Sequence, residues 1–265
     1  MSLELYWNKS LEENASLYFE KAKKAKKKLI GLALAVAETK KKLQKVEFEA
    51  EETKKAKENK SQKVQAPKEW YEKLRWFISS EGLLVIGGRD ATTNEIVIKK
   101  YTDKEDTVFH TEAPGSPFVV IKGKPGEATL QEAAAFCAAN SRAWERRLGT
   151  AEVYAIKGEQ VSKTAQPGEY LAKGAFMIYG KRQYFHPELK IAVGVTKEGK
   201  LMAAPPTAAQ KHCAAYLLIK PGDLKKSDLA KRVKHELEKR SGQAIELDTI
   251  MAALPPGEGQ IVKER

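Results

Sequence analysis

Apolar positions in the first quarter of the chain recur at alternating steps of four and three. From Leu11 they fall on Ala15, Tyr18, Ala22, Ala25, Leu29, Leu32, Val36, Thr39, Leu43, Val46, Ala50 and Thr53, with Lys and Glu filling most positions between. That repeat predicts a long helix bearing a coiled-coil seam, and some 45–50 residues at 1.5 Å each make an arm of roughly 70 Å. Its one glycine is Gly31 and the first proline is Pro67, so nothing inside it forces a turn. One stripe cannot bury itself, and the seam therefore calls for a second helix. The polar stretch EETKKAKENKSQKVQAPKEW leads out of it.

From Trp70 the period shortens. Leu83-Leu84-Val85-Ile86 and Ile96-Val97-Ile98 read as strands joined by GGRDATTNE, with Gly87-Gly88 expected in a turn or bulge at positive φ. Thr107–His110 and Phe118–Ile121 read as two more strands around the turn TEAPGSP. Thr129 to Glu132 fits a capping box before an Ala-rich helix ending near Arg147-Leu148-Gly149. Strands return at Glu152–Ile156 and Ala175–Tyr179, with PGEYLAKG between them. The tail offers strands near Ile191–Val195 and Ala214–Ile219, then a helix from about Asp228 to Arg240 stopped by Gly242. A short strand near Ala244–Leu247 and a turn capped by Asp248 complete it, as a subdomain expected to share the preceding sheet. The fold class is α+β: a coiled-coil arm over 1–65, a mixed α+β domain over 66–187 and a small α+β extension over 188–265.

With 42% hydrophobic residues, 265 residues can bury a sizeable core. Lys and Arg total 47 against 35 Asp and Glu, a net charge of +12 that favours a polyanionic partner: nucleic acid first, an anionic membrane surface second. Half of that excess lies in the first 65 residues, where Lys23-Lys24, Lys26-Lys27-Lys28 and Lys40-Lys41-Lys42 cluster. Such clusters suit an RNA backbone, but they equally describe the solvated flank of a coiled coil. No apolar run approaches the roughly 18 residues needed to span a bilayer, and MSLELYWNKS carries no secretory pattern. Cys137 and Cys213 sit in apolar sequence and read as buried free thiols of a reducing compartment, which places the chain in the cytoplasm.

Catalytic chemistry is hard to assemble. His110, His186, His212 and His235 are far apart, and no Cys-x-x-Cys or His-x-x-x-His spacing offers a zinc site. Neither a phosphate-binding G-x-x-x-x-G-K-[ST] loop nor a G-x-S-x-G elbow occurs. His110 with Arg89 and Asp90 is the one conceivable acid–base group, and a His at a strand end is more often structural. No enzyme, cofactor or metal is expected.

The words themselves point further. WYEKLRWFISSEGLLVIGGRDATTNE (Trp70–Glu95) resembles the opening of the NFACT-R domain of the NFACT family. The likeness continues through Val108-Phe109-His110-Thr111-Glu112-Ala113-Pro114-Gly115-Ser116, TLQEAAAFCAANSRAW and VYAIKGEQVSKTAQPGEYLAKGAFMIYGKR. NASLYFEKAKKAKKKLIGLALAVAETKKKL resembles the second arm of the family's coiled coil, and the tail from Leu189 the extension of archaeal-type members.

The resemblance implies a factor of ribosome-associated quality control. Such a factor binds large ribosomal subunits that still hold peptidyl-tRNA and supports C-terminal tailing of the nascent chain, while the ribosome makes the bonds. Implied partners are the large subunit, rRNA and tRNA, with a ubiquitin ligase or another protein on the coiled coil, and no membrane. The family's N-terminal domain, helix-hairpin-helix module and first coiled-coil arm have no counterpart here, so a fragment or a shortened member is expected. The unpartnered seam should then form a weak, antiparallel homodimer. Arg89, Asp90, Asn94 and His110 fit the family motif as RNA-binding candidates. Lys122, Lys124, Lys163, Lys181 and Arg182, on predicted loops or strand ends, join them as phosphate readers. Trp70, Tyr71, Trp76 and Phe77 read as core rather than a base-stacking platform. The alternatives are a protein scaffold working through the coiled coil and, more remotely, a nucleic-acid-processing enzyme.

Overall fold

The computed structural model of the chain describes residues 4–61, 69–164 and 171–262. It divides into two compact units, Met1–Lys68 and Glu69–Arg265. The boundary expected between 65 and 66 lies outside the described residues.

The first unit is built on helix α1 (Leu11–Ser61). A capping box sets its start: Ser10 Oγ accepts from the Glu13 N–H at 3.1 Å, and Glu13 Oε2 accepts from the Ser10 N–H at 2.8 Å. Buried Asn14 fastens the preceding residues to it. Its Oδ1 accepts from the Tyr6 N–H at 2.9 Å, and its Nδ2 donates to the carbonyls of Tyr6, Lys9 and Ser10. Beyond this cap, Leu11, Phe19, Leu29, Leu32, Val36 and Leu43 stay exposed, Leu29 at 67%. The side chains of Val46, Ala50 and Thr53, the last positions of the predicted seam, lie outside the described residues.

The second unit contains two principal antiparallel sheets. Strands β1 (Arg75–Ile78), β2 (Leu84–Gly87), β3 (Thr107–Thr111), β4 (Val119–Ile121), β5 (Val153–Lys157) and β8 (Gln183–Phe185) form the larger, in the order β1-β2-β4-β3-β5-β8. Neighbouring residues alternate between two apolar clusters. Val85, Phe109, Val119 and Ile121 meet helix α3 (Glu127–Ala139), whereas Ile86, Val108, Val120 and Ile156 meet Val97 and Ile98 of helix α2 (Ala91–Tyr101). Cover on both faces explains why these strands are unbroken apolar runs. Phe136 of α3 packs on Phe77 with ring centroids 4.8 Å apart, and burying such a ring contributes about 2–3 kcal/mol.

The smaller sheet is ordered β10-β9-β11-β12, from β9 (Ile191–Thr196), β10 (Leu201–Ala204), β11 (Cys213–Leu224) and β12 (Gly259–Ile261). Helices α5 (Pro206–His212), α6 (Lys226–Ser241) and α7 (Leu247–Ala253) accompany it. The tail therefore does not share the preceding sheet. It shares the core instead: Phe77, Phe136 and Trp144 belong to the same buried cluster as Ile191, Ile219 and Leu237. The Trp144 indole N–H, on the short helix α4 (Arg142–Glu145), donates to the Glu258 carbonyl at 2.8 Å and ties the halves together. A third, two-stranded sheet pairs β6 (Val161–Ser162) with β7 (Met177–Ile178), so the strand expected over 175–179 is shorter.

Other expectations need correction. Ile96-Val97-Ile98 is not a strand but the middle of α2. Asp90 caps that helix, accepting from the Thr93 N–H at 2.8 Å, and Thr93 Oγ1 accepts in return from the Asp90 N–H. Local capping thus outweighs a β-branched run. Gly88 does not have positive φ; it is required because a Cβ there would overlap the Asn94 side chain. Thr129 does not cap α3. Glu81 does so from the β1–β2 hairpin, its Oε2 accepting from the N–H groups of Gly126 and Thr129. That helix stops at Ala139 rather than near Gly149, because Ser141 Oγ donates to the Ala138 carbonyl and accepts from the Ala143 N–H, starting α4. Residues 244–247 form no strand, and Asp248 lies inside the first turn of α7 instead of capping it. Gly242 does end α6, in the left-handed region at φ 68°. Both cysteines are buried free thiols.

Candidate nucleic-acid interface

The β2–α2 junction, the β3–β4 loop, the α3–α4 junction and the segment around Lys173–Phe176 enclose a cavity of about 560 Å³. Four residues singled out from the sequence line it together: Arg89, Asp90, Asn94 and His110. Their roles differ sharply.

Asp90 is occupied by its cap, and the bonds from Thr93 hold its carboxyl below the usual range. Asn94 is a clamp. Its Oδ1 accepts from the Phe118 N–H at 3.1 Å and its Nδ2 reaches the Ser116 carbonyl at 3.5 Å, so α2 grips the β3–β4 loop. His110 Nδ1 donates to the Thr111 carbonyl at 2.7 Å, and its ring lies 4.4 Å from that of Phe118. Burial pushes its pKa down, leaving a neutral ring with Nε2 as an acceptor. Arg89 Nη2 donates to the Leu74 carbonyl at 3.0 Å; burial lowers its pKa, with the Asp90 carboxylate opposing.

The other candidates lie outside this cavity. Lys122 Nζ is held by the Tyr101 carbonyl at 3.0 Å and by Asp103 and Asp106; burial disfavours its charge, and the two carboxylates more than offset that. Lys163 pairs with Glu95 at 2.8 Å and donates to the carbonyls of Ala172 and Ala175. Arg182 binds both oxygens of Glu112 and stacks 4.6 Å above the Tyr154 ring. Lys124 and Lys181 are exposed. Trp70 is 43% exposed and stacks on Tyr101 at 4.3 Å, while Phe77 is fully buried.

Sequence reasoning missed three cations of the cavity wall: Arg75, Arg142 and Lys173. Arg142 packs under Gly115, where φ is +99° and a Cβ would come within 2.6 Å of Arg142 Cδ. Arg75 had one available signal, as the only charge in the strand RWFI. Asn140 also lines the cavity; its Nδ2 donates to the Phe136 carbonyl at 2.9 Å, and its buried Oδ1 has no partner among the described residues. A wall of four cations, a neutral imidazole and aromatic rings can hold a phosphate-bearing, base-bearing ligand. Among the described residues, no cluster of His, Cys, Asp or Glu could hold a metal ion.

Comparison with known proteins gives the same direction. The sequence model of a family described as NFACT protein RNA binding domain matches residues 73–180, which include most of the cavity wall. The chain is 45% identical over 209 residues to the archaeal Rqc2 homolog aRqcH of Methanocaldococcus jannaschii, an alignment covering 76% of this chain and 31% of that protein. It is 43% identical over 136 residues to the ribosome quality control complex subunit NEMF homolog of Drosophila melanogaster, covering 50% of this chain and 14% of that one. To the human ribosome quality control complex subunit NEMF it is 44% identical over 122 residues, covering 44% and 11%. The chain thus spans less than a third of the length of each of these relatives. Through the RNA-binding domain that these matches share, the chain belongs to the NFACT family.

Proposed function

We propose that the folded unit binds RNA of the large ribosomal subunit, as the RNA-binding part of a ribosome-associated quality control factor. The observation that carries this reading is a coincidence of two maps: the stretch matched to an RNA-binding domain is the stretch that builds the cation-lined cavity. The half of the chain's net charge of +12 that lies outside the first 65 residues supports it. In this reading Arg89 and the exposed Lys124 and Lys181 touch RNA, while Lys122, Lys163 and Arg182 hold the surface in shape. The factor acts by binding, on subunits that carry peptidyl-tRNA, and works in the cytosol. Among the described residues no helix is long and apolar enough to cross a membrane.

Sedimentation of the chain with purified large subunits at two salt concentrations tests the proposal. Co-sedimentation at low salt that falls steeply at high salt is expected. A chain left in the supernatant at low salt would overturn it.

The exposed apolar side chains of α1 favour a complementary role for that helix, as an arm that takes a protein helix. A second copy, a helix of a longer chain or a ubiquitin ligase would each present a suitable surface. Sedimentation equilibrium at tens of micromolar distinguishes self-pairing, and Leu29→Glu with Leu32→Glu should abolish it.

A further inference from the structure

Three cations that no feature of the sequence links converge at the seam between the two sheets. Arg75 leaves β1, Arg89 leaves the β2–α2 junction, and Lys226 opens α6. Lys226 Nζ donates to the Leu254 carbonyl at 3.1 Å, and Arg75 Nη1 reaches the same oxygen at 3.5 Å. Arg89 Nη2 donates to the carbonyl of Leu74, the residue before Arg75. Among the described residues none of the three makes an ion pair. The Asp90 carboxylate favours the charge of Arg89 but is engaged in its capping bonds with Thr93, and Glu145 is the other carboxylate of the cavity wall.

Such a cluster is costly. Burial and the neighbouring Arg89 push the Arg75 pKa down to about 10, while burial, Arg75 and Arg89 push Lys226 down to about 8. Carbonyl oxygens satisfy one donor on each residue but neutralise no charge, so the fold leaves like charges together with donors to spare. An anion with several acceptor oxygens relieves both penalties. Two guanidinium forks and an ammonium suit the two non-bridging oxygens of a phosphate.

We propose that Arg75 and Arg89 of the cavity wall, with Lys226 joined to Arg75 through the Leu254 carbonyl, form a binding site for one phosphate group of an RNA chain. This deepens the RNA-binding reading above and rests on it. It adds that the smaller sheet, through Lys226, contributes a residue to the RNA site. The ligand is a phosphodiester within a strand, and a free phosphate ion is the competing source of the same chemistry.

The test uses the whole chain with Arg89→Gln, Lys226→Met and, as a control in the last turn of α6, the exposed Lys239→Ala, which should leave affinity and salt slope unchanged. Binding to single-stranded RNA is titrated at several salt concentrations. Arg89→Gln and Lys226→Met should each weaken binding by roughly tenfold, and each should flatten the salt slope by about 0.7. Because Lys226→Met removes an uncompensated charge, it should melt no lower than the unmutated chain. Unchanged affinity and slope in both variants, with the unmutated chain still binding RNA, would overturn the site and leave the RNA-binding reading standing. Failure of the unmutated chain to bind RNA would overturn both. Inorganic phosphate that competes with RNA at low millimolar concentration would assign the site to the free ion and overturn the phosphodiester. A poly-glutamate peptide that binds as tightly as RNA of equal charge, with the same losses in the variants, would reassign it to an acidic protein.

Discussion

The lysines of α1 and the cations of the inter-sheet seam carry the same charge under opposite conditions. Lys23, Lys24, Lys26, Lys27 and Lys28 are exposed to water on α1. Arg75, Arg89 and Lys226 are pressed together and partly desolvated, with no ion pair among the described residues and only the Asp90 carboxylate favouring the charge of Arg89. A solvated lysine costs a fold almost nothing and can be placed for solubility alone. A half-buried cation opposes folding, so its presence is evidence that something outside the chain needs it. Counting charges along the sequence points to α1, where half of the excess lies, whereas the energetics point to the seam.

The same contrast governs glycine, and it produces the largest effect. Gly88→Ala places a methyl group over the Asn94 side chain and 2.9 Å from the Asn94 backbone nitrogen, so the clamp on the β3–β4 loop must open. A loss of about 2–4 kcal/mol is expected in urea denaturation, with Asn94→Ala costing about 1–3 kcal/mol by leaving the Phe118 N–H unsatisfied. If Gly88→Ala melts like the unmutated chain, the close approach is not structural.

Next in size is the dependence on pH. Lys226 has a folded pKa of about 8 against the ordinary 10.5, set by burial with Arg75 and Arg89 facing it, so between those values the unfolded chain holds more protons. Stability should therefore rise as pH climbs from 8 towards 10.5. Lys226→Met should flatten that rise, and an unchanged profile in the variant would remove Lys226 as its source. His110, also shifted down by burial, acts at the other end: stability should fall as pH drops below its unfolded pKa of about 6.5.

On α1 the signs and sizes change. A Cβ added at Gly31 would meet nothing within 4 Å on this exposed helix, so Gly31→Ala should stabilise α1 by about 1 kcal/mol, read as helical circular dichroism on heating. The smallest effect concerns its lysines. Lys27→Ala with Lys28→Ala should change RNA affinity by no more than about threefold, because the RNA site is placed on the folded unit and exposed charge pairs are worth little in water. A loss matching that of Arg89→Gln would erase the distinction between the two regions.

Legibility followed burial. Strands covered on both faces, such as Leu84–Gly87 and Ile191–Thr196, announced themselves as apolar runs. The period of α1 announced its helix. What misled was local: Ile96-Val97-Ile98 has strand composition, yet the Asp90–Thr93 cap just before it in the chain decides for a helix. Leu201–Ala204 and Pro206–His212 escaped notice because Pro205-Pro206 resembles a breaker, although Pro206 sits at the first helical position where proline is tolerated. Arg89, Asp90, Asn94 and His110 were legible through family words, but their division into a charge, a cap, a clamp and a neutral ring was not. Lys226 carried no signal at all, since only the packing of one sheet against the other brings it to Arg75.

That packing also sets what can be inherited or transplanted. Residues 73–180 are what the RNA-binding-domain family model matches, yet the same buried cluster that holds Phe77 and Phe136 runs on through Ile191, Ile219 and Leu237. The edge strand β8 and the acceptor of the Trp144 indole N–H also lie beyond residue 180. The stretch matched by the RNA-binding-domain model is therefore smaller than the unit of folding. A gene segment trimmed to residues 73–180 would encode a protein with much of its interior facing water, whereas one cut near Glu69 and carried to the end of β12 would move as a self-sufficient module.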